Sequence, residues 1–326
     1  MSTGVGPFTF YESLSGSRPR SRPARPEGRR PVTTAAAAAK LSRAKEIDQR
    51  LSELTSLHRA EFQPLTPPIA EMPRVPSASQ VVREVRRELL ARVRWFDLPG
   101  RWRARRQARQ EGARRHAADI AAAEAERAQR QVELDKSWHR FLAGETAAVL
   151  DVLNGAFADN AAPAAAVGLD GTEAQLAVLV PGEEVVPDQM PGITQAGNVS
   201  LRRTTKTQRA EVHREMVAGY VLATVKEAFA VAPSVAGAAV VAMRDEGPDV
   251  FGEDRVRPVL AVRLTRAVLD TVRWAESSAW DVVEQAGEDL RIQLDGRTRA
   301  LEPLDLSAEP ELSRLVGAVQ WTGDPR

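Results

Sequence analysis

Thr205–Val231, TKTQRAEVHREMVAGYVLATVKEAFAV, is the stretch whose reading decides the fold. From Met216 to Val225 it is apolar almost all the way round a helix, and a helix with no polar face is buried on more than one side. Around it lie runs that read as strands: Gln175–Val180, Val199–Thr204, Ala238–Met243, Val259–Leu264 and a shorter Leu290–Leu294. The expectation is an α+β fold, with mixed strands packed around a buried central helix in a C-terminal domain over 133–326. The start of the helix carries its own signal. Thr205 and Gln208 stand at capping-box spacing, the Thr hydroxyl reaching a free N–H and the Gln reaching back. Arg202, Arg203 and Lys206 crowd the same helix start, whose spare amides and partial positive charge suit an anion. Arg202, Arg203, Thr205 and Lys206 therefore form a candidate anion site. The competing reading is a plain cap with solvated neighbours.

Upstream, the chain turns basic. Residues 1–159 hold 28 Lys+Arg against 19 Asp+Glu, whereas 160–326 hold 17 against 25. Such a split fits an anionic partner for the basic half, or two halves that attract each other. Residues 1–34 read as a flexible arm. Phe8-Thr-Phe10 is a short strand candidate, and Ser17–Pro31, with six Arg and four Pro, cannot bury a core. Residues 35–132 read as an Arg/Ala-rich helical region. A helix over Ala35–Arg59 carries Leu41, Ile47, Leu51, Leu54 and Leu57, and five prolines within 62–78 break it. A second helix resumes near Ser79 with Val82, Val85, Leu89, Leu90 and Val93 on one side. Pro99 and Gly100 end it.

From Arg101 to about Ala158 the sequence predicts one very long helix, with possible bends at Gly112 and Gly144. Ile120 is the only large apolar residue between Arg103 and Gln131, so no coiled-coil seam is expected there. From Val132 onward an apolar face reappears through Trp138, Phe141, Val149, Leu153 and Phe157. Within Arg83–Arg115 stand 12 Arg and four acidic residues, with Trp95, Phe96 and Trp102 at the helix break. Arg beside aromatic side chains suits nucleic-acid backbones and stacking. It equally suits an interfacial membrane helix. In the simplest reading the aromatics pack the two helices together and Arg only solubilises them. Arg101, Arg103, Arg105, Arg106 and Arg109 are the candidate polyanion contacts.

Two stretches carry resemblances. GVGPFTFYESLSGSRPR, residues 4–20, resembles a small Gly-rich β-type domain of unknown function that begins many bacterial proteins. LVPGEEVVPDQMPGITQAGNVSLRRTTKTQ and VLATVKEAFAVAPSV, within about 138–306, look like uncharacterised proteins of high-GC bacteria with the same opening. That resemblance supports the domain boundary and implies no activity, cofactor or site residue.

The remaining chemistry is negative. The chain has no cysteine, so disulfides and thiolate metal sites are excluded. No serine-nucleophile elbow, phosphate loop, dinucleotide fingerprint or H-E-x-x-H motif occurs. The four His (58, 116, 139 and 213) share no ligand spacing. No catalytic residue, cofactor or metal ligand is expected. The acidic loop Asp245–Asp254 reads as a solvated hairpin tip, and the long connection Pro181–Gly197 as a mobile or functional loop. A helix over Arg266–Ala286 and another over about Glu309–Gln320 close the domain. No apolar run reaches the ~20 residues of a membrane span, and no apolar signal core opens the chain, so a soluble cytoplasmic protein is expected. The functional expectation is a non-enzymatic interaction or adaptor protein with a protein partner. Its alternatives are a sequence-nonspecific nucleic-acid binder acting through the Arg helix, a membrane-surface protein and, further off, an enzyme for an anionic ligand.

Overall fold

A computed structural model describes residues 30–195, 198–248, 254–305 and 310–318, and the architecture is α+β. The expected arm over 1–34 therefore lies almost wholly outside the described residues, as does the tip of the acidic loop. Helices α1 (Arg30–Thr55), α2 (Ala78–Ala91), α3 (Leu98–Leu142) and α4 (Thr146–Phe157) precede the sheet. Strands β1 (Ala164–Asp170) and β2 (Glu173–Val180) follow, then a ribbon of β3 (Gln189–Ile193) and β4 (Val199–Arg203). Helix α5 (Lys206–Val231) leads to β5 (Gly237–Pro248) and β6 (Asp254–Thr265). After these come α6 (Arg266–Leu269), α7 (Ala279–Ala286), β7 (Glu288–Leu294), β8 (Leu301–Glu302) and α8 (Pro310–Ala318).

The main sheet runs β1-β2-β5-β6-β7-β8. Among the described residues only β2 and β5 pair in parallel. Parallel neighbours need a crossover between them, and here it consists of the β3–β4 ribbon followed by α5. Strand periodicity divides β2 and β5 between two faces. Leu176, Val178, Val240 and Ala242 join the large core beneath α5. Ala177, Val241 and Met243 point the other way and pack with Leu315 of α8.

Fourteen of the 26 residues of α5 are buried, which accounts for the missing polar face. Met216, Val217, Val221, Leu222 and Val225 are fully inaccessible. Each such side chain contributes about 1.5–3 kcal/mol on burial. Strand β1 escaped the sequence reading because AAAVGLD offers little apolar contrast. It is held as an edge strand by Asn154 of α4, whose Nδ2 donates to Ala166 O (3.1 Å) while Ala166 N donates to Asn154 Oδ1 (2.8 Å).

Several expectations need correction. The predicted single helix from Arg101 to Ala158 ends at Leu142, where Gly144 takes the left-handed φ of +76° and turns the chain into α4. The predicted helix over Arg266–Ala286 is two, α6 and α7, because Ser278 caps a new start by accepting from Asp281 N at 3.1 Å. The long connection Pro181–Gly197 contains a 3-10 turn over Glu183–Val185 and strand β3.

α1 does not stay with the upstream helical region. Leu54 belongs to the same core as α5, and Leu57 sits against Gly219, where an added Cβ would stand 3.2 Å from the Leu57 Cβ. Lys226 Nζ then donates to His58 O (2.8 Å) and Ala60 O (2.6 Å), pinning the turn after α1 to α5.

Candidate functional site

The expected absence of a seam between Arg103 and Gln131 is corrected by small residues. α2 and α3 form a helical hairpin in which Val81, Val85 and Leu89 meet Ala108, with Ala104 and Gly112 buried one turn to either side. Spacing i, i+4, i+8 places Ala104, Ala108 and Gly112 on one helix face. At Gly112 an added Cβ would lie 2.6 Å from Val82 Cγ2 and 2.9 Å from Val82 Cα, so only glycine permits this approach. Arg115 ties the helices from outside, bonding Glu88 of α2 at 3.0 Å and Glu111 of its own helix at 3.2 Å. Further along α3, the extended segment before α2 is strapped on: Ala70 N donates to Gln131 Oε1 (2.8 Å), and Arg127 Nε donates to Ala70 O (3.1 Å).

The seam ends before the turn. Asp97 caps α3 by accepting from Gly100 N at 2.9 Å, and Pro99 lies in the first helical turn, where its missing donor costs nothing. Beyond the last seam contacts the turn's large side chains stand largely open among the described residues. Trp95 is 81% exposed, Phe96 60%, Leu98 68% and Trp102 74%. The simplest sequence reading, in which these aromatics hold the two helices together, is therefore overturned: Ala, Gly and Val do that. Trp95 and Phe96 pack edge to face at 5.8 Å, and the Arg94 guanidinium lies 6.0 Å from the Phe96 ring centre.

Behind the aromatic tip stands a collar of charge. Arg92 and Arg94 lie in the connection after α2, and Arg101, Arg103, Arg105, Arg106 and Arg109 occupy the first three turns of α3. All are exposed except the half-buried Arg101. Among the described residues the ion pair that joins α2 to α3 is Arg115–Glu88, and none of these seven arginines joins an ion pair. The structure thus brings the five candidate polyanion residues together with a tip that only the simplest of the three sequence readings packed away. Its detectable signal was Trp-Phe beside Leu-Pro-Gly, a turn too short to bury four large side chains.

The second candidate site is less open. Arg203, Thr205 and Lys206 line a cleft of about 750 Å³, together with Glu183, Thr204, Arg209 and Thr298. Arg202 does not line it. The capping box forms as expected, with Gln208 N donating to Thr205 Oγ1 (3.2 Å) and Thr205 N to Gln208 Oε1 (3.1 Å). Arg209, missed in the sequence, pairs with Asp188 at 2.5 Å, and Glu183 adds a carboxylate to the wall. An anion here would meet one occupied guanidinium and one like charge.

Buried titratable groups serve packing. The His213 ring donates through Nε2 to Pro181 O (3.0 Å), leaving Nδ1 unpartnered, and burial lowers its pKa. His58 does the same toward Ser277 O at 3.1 Å, and burial lowers its pKa too. Glu215 accepts from Ala279 N (2.5 Å) and Trp280 N (3.0 Å), capping α7 from α5, while burial raises its pKa. In the acidic loop Glu246 is engaged by Arg244 (2.9 Å) and Arg257 (3.3 Å). Among the described residues, no group of three or more His, Asp or Glu is placed to hold a metal ion. No helix among them is long and apolar enough to cross a membrane. Compared with known protein families, with curated proteins and with solved structures, the chain matches none.

Proposed function

We propose that this chain is a non-catalytic, cytoplasmic interaction protein whose α2–α3 hairpin presents a contact tip for an anionic partner surface, with the α+β domain as its folded base. The observation that carries this reading is the cluster of Trp95, Phe96, Leu98 and Trp102, exposed together and collared by arginines outside any ion pair. Large apolar side chains gathered in the open mark an interaction site, and the collar sets the sign of the partner's charge. The capped, partly neutralised cleft at the start of α5 gives an enzymatic reading much less support.

The test is retention of the full chain on immobilised heparin, a flexible polyanion, as salt is raised. Wild type is retained at low salt. Replacing Arg101, Arg103, Arg105, Arg106 and Arg109 with Gln moves elution to markedly lower salt without changing the far-UV circular dichroism. A wild-type chain that passes through at low salt refutes the reading.

A nucleic acid is the second occupant the five arginines support. Arg103, Arg105, Arg106 and Arg109 spread over the arc of α3 that the seam leaves free, so contacts would go to phosphates and not to bases. Duplex affinity would then be indifferent to sequence, with log K falling by about 0.9 per neutralised phosphate and decade of salt.

A further inference from the structure

We propose that the anionic partner of the hairpin tip is a lipid bilayer, entered end-on, so that the α2–α3 hairpin is a shallow membrane anchor. This rests on the interaction-tip reading and names its partner. The argument is one of order along the hairpin. Trp95, Phe96 and Leu98 sit in the turn at the apex, with Arg94 flanking them and the Asp97 carboxylate turned to cap α3 at Gly100 N. Trp102 stands one turn behind Leu98, and the other arginines lie beside Trp102 and away from the apex.

Along a helix that advances about 1.5 Å per residue, Leu98 to Trp102 spans about 6 Å. Apolar side chains of interfacial helices reach about 5–10 Å into the boundary between headgroups and acyl chains. A tip of this depth therefore puts its apolar groups below the phosphates and Arg92, Arg94, Arg101 and Arg103 level with them. Trp at headgroup depth and Arg beside phosphate are the placements a bilayer interface favours.

A nucleic acid fits the same residues less well. Bases stack on open, flat aromatic faces, but Trp95 and Phe96 engage each other edge to face, and Arg94 lies toward the Phe96 ring. Leu98, more than half exposed, has no stacking role at all. Neither a phosphate backbone nor a base edge rewards four apolar side chains gathered at one apex. A hydrocarbon boundary does.

The absence of cysteine supplies the assay. Full-length Phe96→Cys and Gln107→Cys are each labelled with a polarity-sensitive fluorophore. They are titrated with vesicles of phosphatidylglycerol and phosphatidylcholine in equal parts, with pure phosphatidylcholine vesicles, and with duplex DNA. The label at 96 is expected to shift to the blue on the mixed vesicles alone. The label at 107, nine residues or about 14 Å along α3 from Leu98, stays in water. Unlabelled Trp95→Ser/Leu98→Ser/Trp102→Ser is expected to lose at least tenfold in co-sedimentation with the mixed vesicles, while its heparin elution hardly moves. The five-fold Arg→Gln variant loses both.

Binding to DNA without binding to the mixed vesicles overturns the bilayer and leaves the anionic-partner reading standing. Vesicle binding that the apolar variant does not weaken, or a label at 96 that stays polar on bound vesicles, overturns insertion. Failure on vesicles, DNA and heparin alike overturns the anchor and the reading beneath it.

Discussion

Replacing Lys226 with Met tests the docking of α1, the feature of this fold least visible in the sequence. The Lys226 Nζ donates to His58 O and Ala60 O and lies 4.2 Å from the centre of the Trp274 ring. Beside it, Leu57 rests on Gly219 and the His58 ring donates to Ser277 O. Met retains the apolar stem and removes only the charged donor. Hydrogen bonds from a charged donor contribute about 1.5–3 kcal/mol each, and a partly exposed cation–π contact about 0.5–1 kcal/mol. The head of Lys226 is only half-buried, so solvent screening reduces these values by about half. Relief of the desolvation that lowers the Lys226 pKa returns a further part. The net expected loss is about 1–3 kcal/mol, confined at first to the attachment of α1. In native-state hydrogen exchange, amides over Ile47–Leu57 should exchange about tenfold faster or more, while those of β5 and β6 are unchanged. Protease cleavage after Arg59 should accelerate in parallel. An unchanged denaturation midpoint together with unchanged exchange at Ile47–Leu57 would refute the idea that this lysine clamps the helix.

Gly112→Leu should separate α2 from α3, because the new side chain must occupy the space of Val82; overpacking costs about 1–3 kcal/mol. The expected readout is faster exchange over Val81–Leu89 with an unchanged C-terminal core, and equal protection in both proteins would contradict the seam. The pH dependence of stability should carry the two buried histidines. Their pKa values are lowered in the folded state, so the unfolded chain binds more protons. Their contribution is therefore intact above about 6.5 and is lost as pH falls through the folded values. Glu215 and Glu227, raised by burial, act in the opposite sense and lose their contribution as pH rises above the ordinary carboxylate range. His213→Gln keeps a donor for Pro181 O but cannot take a proton, so urea melts between pH 7 and 5 should show a flatter profile than wild type. Glu215→Ala leaves Ala279 N and Trp280 N without their acceptor and should cost about 1–2 kcal/mol in the same melts.

Local chemistry by itself determined α5 and its cap. An apolar run with no polar face can only be buried, and Thr205 with Gln208 closes a box within three residues. Five of the eight strands among the described residues were legible for the same reason, since alternating or continuous β-branched and aliphatic runs show their burial in composition. Pro99 with Gly100 marked a break but not its place: α2 already stops at Ala91, and both residues stand in the first turn of α3. Only the tertiary structure decided the rest. A seam of Ala104, Ala108 and Gly112 has no hydrophobic contrast; it is recognised by how closely Val82 approaches, not by residue type. Leu54 and Leu57 read only as apolar positions of a helix, with no partner assigned, until α5, more than 150 residues later, supplied the core for Leu54 and Gly219 for Leu57. The exposure of Trp95, Phe96, Leu98 and Trp102 follows from where that seam stops, and a turn cannot bury side chains larger than the surface its own helices leave free. Short-range pattern sets which segments must be buried; which surfaces are left over depends on contacts between residues far apart in the chain.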